Sequence, residues 1–129
     1  MIWYIALGSA AGGISRYMLG GLVQQRLGSS FPVSTLIINV TGSFLLGFLL
    51  RWSVESAAVT PETRALLTTG FCGGYTTFST YSYETAALIE DGQYARAGVY
   101  VGLSVGLALI GTFAGFALAQ SALSLRERM

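Results

Sequence analysis

The sequence predicts an all-α membrane protein whose single domain, residues 1–129, crosses the bilayer four times and whose third crossing is broken. Three observations predict it. Hydrophobic residues make up 53% of the 129 and charged residues only 10%, with mean hydropathy +0.61, against roughly 25% charged in a soluble domain. Four apolar runs are separated by short polar segments, and at about 20 residues per crossing four helices use most of the chain. The third run alone is interrupted, by a glycine cluster and then by hydroxyl-bearing residues.

The first helix is expected over about residues 2–23. It lacks the basic start of a cleavable secretory signal, so it is expected to be retained. Gln24, Gln25 and Arg26, then Gly28, Ser29 and Ser30, mark a turn, and Pro32 suits the first turn of a second helix over about 32–50. Arg51, Glu55, Thr60 and Pro61 close that helix. The third spans about 65–89 and ends at Glu90, Asp91 and Gly92, and the fourth spans about 95–123, ahead of the polar tail Arg126, Glu127, Arg128. Glycines at four-residue spacing, Gly8 and Gly12, then Gly98, Gly102 and Gly106, then Gly111 and Gly115, are expected to let helix backbones approach closely.

Histidine and lysine are absent and Cys72 is the only cysteine, which removes zinc ligand sets, haem attachment, disulfides and the usual Ser-His, Cys-His and Ser-Lys nucleophile pairs. An enzyme is not expected. Seven arginines against six acids leave a net charge of +1 and no basic face for nucleic acid. Four arginines (Arg51, Arg64, Arg126, Arg128) share one side with the N-terminus and two (Arg26, Arg96) lie on the other, a weak bias that specifies orientation poorly.

Two ionisable residues fall inside the expected spans, Arg16 in the first and Glu84 in the third, where each costs at least ~2.5 kcal/mol on insertion scales. Either they tie helices together or they border an ion pathway. In the third span Gly70, Gly73 and Gly74 precede Thr76, Thr77, Ser79, Thr80, Tyr81, Ser82 and Tyr83, a poor helix-forming stretch. Backbone freed at a glycine break must be buried in protein or line a wet cavity. Beyond the break, Thr76, Thr80 and Glu84 are expected on one stripe and Phe78 and Tyr81 on its neighbour. Asn39, near Thr35 and Thr41, supplies an uncharged amide on the second span, and Tyr100 and Ser104 lie one turn apart on the fourth. Such a donor-rich set favours a small anion, whose lost water shell must be replaced by N–H and O–H groups and by the positive edges of Phe rings. Glu84 opposes an anion and must be protonated, paired or turned away.

The run Gly73-Gly74-Tyr75-Thr76-Thr77-Phe78-Ser79-Thr80-Tyr81-Ser82-Tyr83-Glu84 resembles the signature of the small fluoride channels called Fluc or CrcB. Gly12-Gly13-Ile14-Ser15-Arg16-Tyr17 and Asn39-Val40-Thr41-Gly42-Ser43-Phe44 are similar to that family's other two motifs, in the same order. The resemblance implies a passive fluoride-selective channel of the cell inner membrane that exports cytoplasmic fluoride. It further implies an antiparallel homodimer of one chain inserted in both orientations, with two pores and a central structural sodium ion. By motif, Asn39 becomes the polar pore residue, Phe78 and Tyr81 the aromatic wall, and Ser79 and Thr80 a hydroxyl track that Thr35, Tyr100 and Ser104 extend. Gly73 and Thr76 would offer backbone carbonyls to sodium, and Arg16 would lend positive potential to the vestibule. Tyr81 departs from the family's usual second Phe, and Tyr75 from a common Phe. The rival readings are a proton-coupled small multidrug exporter, which needs an accessible intramembrane carboxylate, and a non-conducting structural membrane subunit.

Overall fold

The computed structural model describes residues 1–129, and every regular element is helical. Helix α1 runs Ile2–Leu27 and stops where Gly28 takes a left-handed conformation (φ 53°), its N–H bonding to Gln24 O, a conformation that costs glycine no Cβ clash. Helix α2 runs Val33–Glu55, with Pro32 just ahead of its first turn. The third run opens at α3 (Pro61–Ala65), capped by Thr60 Oγ1 accepting from Thr63 N–H at 3.2 Å. It passes through a π-helical segment, Leu66–Cys72, into a short α4 (Gly73–Tyr75). Thr76 and Thr77 are extended, and α5 (Phe78–Glu90) begins beyond them. Gly92 (φ 74°) turns the chain into α6, Tyr94–Glu127.

Helices α1, α2 and α6 outrun their apolar segments at the C-terminal end because intrahelical hydrogen bonding continues through flanking polar residues. By length and composition, α2 and α6 are each sufficient to cross a membrane. Arg64 Nη2 donates to Ser53 O at 2.7 Å, so a cation satisfies a carbonyl in the last turn of α2.

Two seams of small residues hold the molecule together. On one, α1 lies against the π segment and α4: a Cβ on Gly8 would strike Leu66 O, one on Gly12 would strike Phe71 O, and Gly70 and Gly74 sit as tightly against Gly8 and Ser9. On the other, α2 packs along α6, with Gly47 against Thr112 and Gly115 against Phe44 and Phe48. These contacts are the close approaches that small residues permit when helices associate in lipid. The stripe Gly98, Gly102, Gly106 differs from expectation, because nothing in the chain lies within 4 Å of where their side chains would start. That face of α6 is open.

The break also differs from expectation. Gly70, Gly73 and Gly74 stay helical, with Gly70 and Gly74 serving the seam with α1, and the chain leaves the helix only at Thr76 (ψ 160°) and Thr77 (φ −151°). Thr76 therefore does not continue the stripe of Thr80 and Glu84, which belong to α5 alone.

Candidate functional site

The break is held open by a side chain from another helix. Thr77 N–H would close the next helical turn on Gly73 O, but it donates instead to Asn39 Oδ1 at 2.8 Å, and Asn39 Nδ2 donates back to Thr77 O at 3.0 Å. Both polar groups of the extended peptide are thus satisfied without helix, the condition for irregular backbone among apolar segments. Thr77 also caps α5, its Oγ1 accepting from Thr80 N–H at 3.2 Å. On the near side Thr76 Oγ1 bonds back to Cys72 O at 2.9 Å, and Thr76 O receives a long bond, 3.4 Å, from Arg16 Nη1. Tyr75 OH pairs with Thr41 Oγ1 at 2.8 Å, a second tie between α2 and the chain before the break.

Clefts open around this point. One of about 290 Å³ brings together Asn39, Thr76, Phe78, Tyr81 and Ser104. A second, about 590 Å³, is lined by Arg16, Thr35, Thr77 and Thr80. A third, about 390 Å³, holds Glu84 with Phe31, Asp91 and Arg96. Gly73 and Thr76 line a fourth, about 360 Å³. Of the pore, vestibule and sodium-site residues expected from the sequence, Ser79 and Tyr100 line none of these clefts, Tyr100 because it is fully buried. Ser79 differs from it in being exposed, 3.4 Å from the Thr77 hydroxyl.

Between the clefts runs a ladder of rings. Phe78 meets Tyr81 at 5.5 Å, Tyr81 meets Tyr100 at 5.3 Å, and Tyr100 meets the edge of Phe31 at 5.5 Å. Tyr100 is fully buried and Ser104 is 8% exposed, yet neither hydroxyl has a hydrogen-bond partner in the chain. Leaving a buried polar group unpaired costs about 1–3 kcal/mol, which suits groups reserved for a ligand or for water. Phe78 is 79% exposed, so this wall of the site faces outward from the chain.

Arg16 and Glu84 do not pair with each other. The only ion pair is Arg51 with Glu55, 3.3 Å apart on the surface of α2, an arrangement worth little. Glu84 is instead paired with a hydroxyl: Thr35 Oγ1 donates to its carboxylate at 2.5 Å. The carboxylate is thereby engaged by α2 and turned toward the third cleft.

A family model described as CrcB-like protein, camphor resistance, matches residues 3–116. The chain belongs to the CrcB family. Among curated relatives, one from Rhizobium meliloti is 45% identical over 117 residues, covering 91% of this chain and 94% of its own, and one from Geobacter sp. (strain M21) is 48% identical over 118 residues, covering 92% and 95%. A third, from Aquifex aeolicus, is 43% identical over 122 residues, covering 94% and 98%. Each is named a fluoride-specific ion channel. With its apolar helices, this CrcB chain is a membrane protein.

Sequence reasoning gave no role to four residues that the structure brings to the site. Thr77 holds the break with Asn39, Tyr75 pairs with Thr41, and Phe31 and Arg96 border the Glu84 cleft. Only Thr77 carried a local signal, as an N-cap residue ahead of a helical run. The other contacts join residues far apart in the chain, and no pattern of spacing reveals them.

Proposed function

We propose that this chain is a fluoride-selective channel that passively exports fluoride from the cytoplasm across the cell inner membrane. One observation carries the reading: two buried hydroxyls, Tyr100 and Ser104, are left unpartnered along an aromatic ladder beside Asn39, in a CrcB chain whose relatives are named fluoride channels. A desolvated anion needs such donors, and the ring edges of Phe78 assist. Asn39 has a second amide N–H beyond the one bonded to Thr77 O, so it serves both the break and the ion. Thr35, Ser79 and Thr80 extend the hydroxyl track, Tyr81 completes the wall, and Arg16 gives the widest cleft a positive potential.

The functional unit of this reading is one domain of four transmembrane spans, paired with a second, inverted copy of itself to make two pores. The outward-facing Phe78 supports a partner at that wall, since an exposed aromatic there otherwise completes no pathway. The carbonyls of Gly73 and Thr76 fit a structural sodium ion at the centre. The first is released from the helix ladder by the Asn39 bond and the second has only the long Arg16 contact, and two inverted copies would supply four such oxygens, ligands suited to a small hard cation. Replacing sodium by a larger cation is expected to weaken the dimer.

The test is fluoride and chloride efflux from liposomes containing the purified chain. Fluoride release without chloride release is expected. Proton-coupled release of an organic cation would favour the exporter, and no flux of any kind would leave a structural subunit.

A further inference from the structure

Arg96 lies in the first turn of α6, where a cation adds to the positive end of the helix dipole and so is placed against helix stability. Its guanidinium is nonetheless fixed: Nη1 donates to Gln93 Oε1 at 2.9 Å, Nη2 donates to Ser30 Oγ at 3.1 Å, and Cζ sits over the Phe31 ring, 5.8 Å from its centre, within the range of a cation–π contact. All three partners are neutral. No acidic group pairs with it, and these contacts hold the guanidinium beside the cleft. Phe31 in turn meets Tyr100, so Arg96 caps one end of the ladder that runs through Tyr81 to Phe78.

The cleft at that end, about 390 Å³, is lined by two carboxylates, Glu84 and Asp91, and Arg96 is the only cation lining it. Neither carboxylate forms an ion pair with it. An anion using this end must pass both carboxylates, Glu84 held by the Thr35 hydroxyl, and Arg96 is the only opposite charge lining the cleft. Charges at a narrow mouth change the local concentration of a permeating ion and hence its entry rate, and salt weakens the effect.

We propose that Arg96 is a permeation-determining residue at the mouth of the pathway, where its fixed charge offsets Glu84 and Asp91 and sets the rate at which a small anion enters or leaves past Phe31 and Tyr100. This inference rests on the fluoride-channel reading. It concerns charge, and so differs from the purely mechanical role in which Arg96 only ties Ser30 in the α1–α2 turn to α6.

The experiment is fluoride efflux from liposomes of the full-length protein, with sodium held constant and ionic strength raised from about 10 mM to about 300 mM with an impermeant salt, which shortens the screening length from about 30 Å to under 8 Å. Arg96→Gln is expected to lower efflux roughly three- to tenfold at low ionic strength and less than about twofold at high. Arg96→Gln combined with Asp91→Asn should recover most of the loss, and Asp91→Asn alone should raise efflux at low salt. Arg96→Gln equal to wild type at low salt overturns the inference, as does a loss that neither salt nor Asp91→Asn relieves. If Arg96→Gln fails to fold, Asp91→Asn alone decides, and efflux unchanged by it at low salt overturns the inference. Wild-type protein that releases no fluoride overturns the proposed function and this inference together, whereas wild-type flux with an inert Arg96→Gln overturns the inference alone.

Discussion

Asn39 and Thr77 form a closed pair of hydrogen bonds, 3.0 and 2.8 Å, between an amide side chain on α2 and the peptide of a residue 38 positions later. The pair substitutes for a turn of helix, and its two bonds have opposite polarity, so only a group with both a donor and an acceptor can make them.

Replacing Asn39 by Asp keeps the shape and removes the donor. A carboxylate then faces Thr77 O, so fluoride flux is expected to fall below detection and the protein to lose about 1–3 kcal/mol of stability. Asn39→Ala should cost a comparable amount without the added charge. Flux in liposomes and thermal unfolding in detergent measure the two effects, and a normally conducting, normally stable Asn39→Asp protein would refute the role given to this pair.

Thr35 is the hydrogen-bond donor to Glu84. Hydrogen bonds to charged groups contribute about 1.5–3 kcal/mol, so Thr35→Val leaves the carboxylate free to repel an anion, and flux is expected to drop about tenfold, the equivalent of about 1.4 kcal/mol on the barrier. Adding Glu84→Gln to Thr35→Val should restore part of that loss. An additive double variant, with no recovery, would show that the hydroxyl acts on the ion directly.

Tyr81 stands between Phe78 and Tyr100, and its hydroxyl bonds to neither Thr77, Thr80 nor Asn39. In the proposed pathway an unengaged hydroxyl on the wall would be available to the ion and would deepen one binding well, slowing exit. Tyr81→Phe is therefore expected to raise fluoride efflux while chloride stays excluded. Equal or lower efflux at the same protein density would show that the hydroxyl does no harm.

Two glycines test the packing. A Cβ at Gly12 would collide with Phe71 O and crowd Tyr75 N at 2.8 Å, both backbone atoms that cannot step aside. Gly12→Ala is expected to destabilise by about 1–3 kcal/mol, the usual cost of overpacking. Gly102→Ala meets nothing within 4 Å and should be near neutral. Equal melting temperatures for the two variants would contradict the seam described between α1 and the third run.

The amino-acid sequence by itself determined the helical class, the order of the elements and the family, because hydropathy, composition and three short motifs are local properties. It also marked Asn39, Phe78, Tyr81 and Ser104, which share one cleft. The tertiary structure decided where the third helix breaks. Glycine clustering pointed to Gly70, Gly73 and Gly74, but a helix breaks where its freed peptide groups find other partners, and Asn39 offers those partners to Thr77 alone. The same physics separates the glycine stripes: four-residue spacing is shared by Gly111 and Gly115, which meet α2, and by Gly98, Gly102 and Gly106, which meet nothing in the chain. Spacing fixes which face a residue occupies, and only the packing of one helix on another fixes what that face touches, whether Thr35 against Glu84 or Arg96 over Phe31.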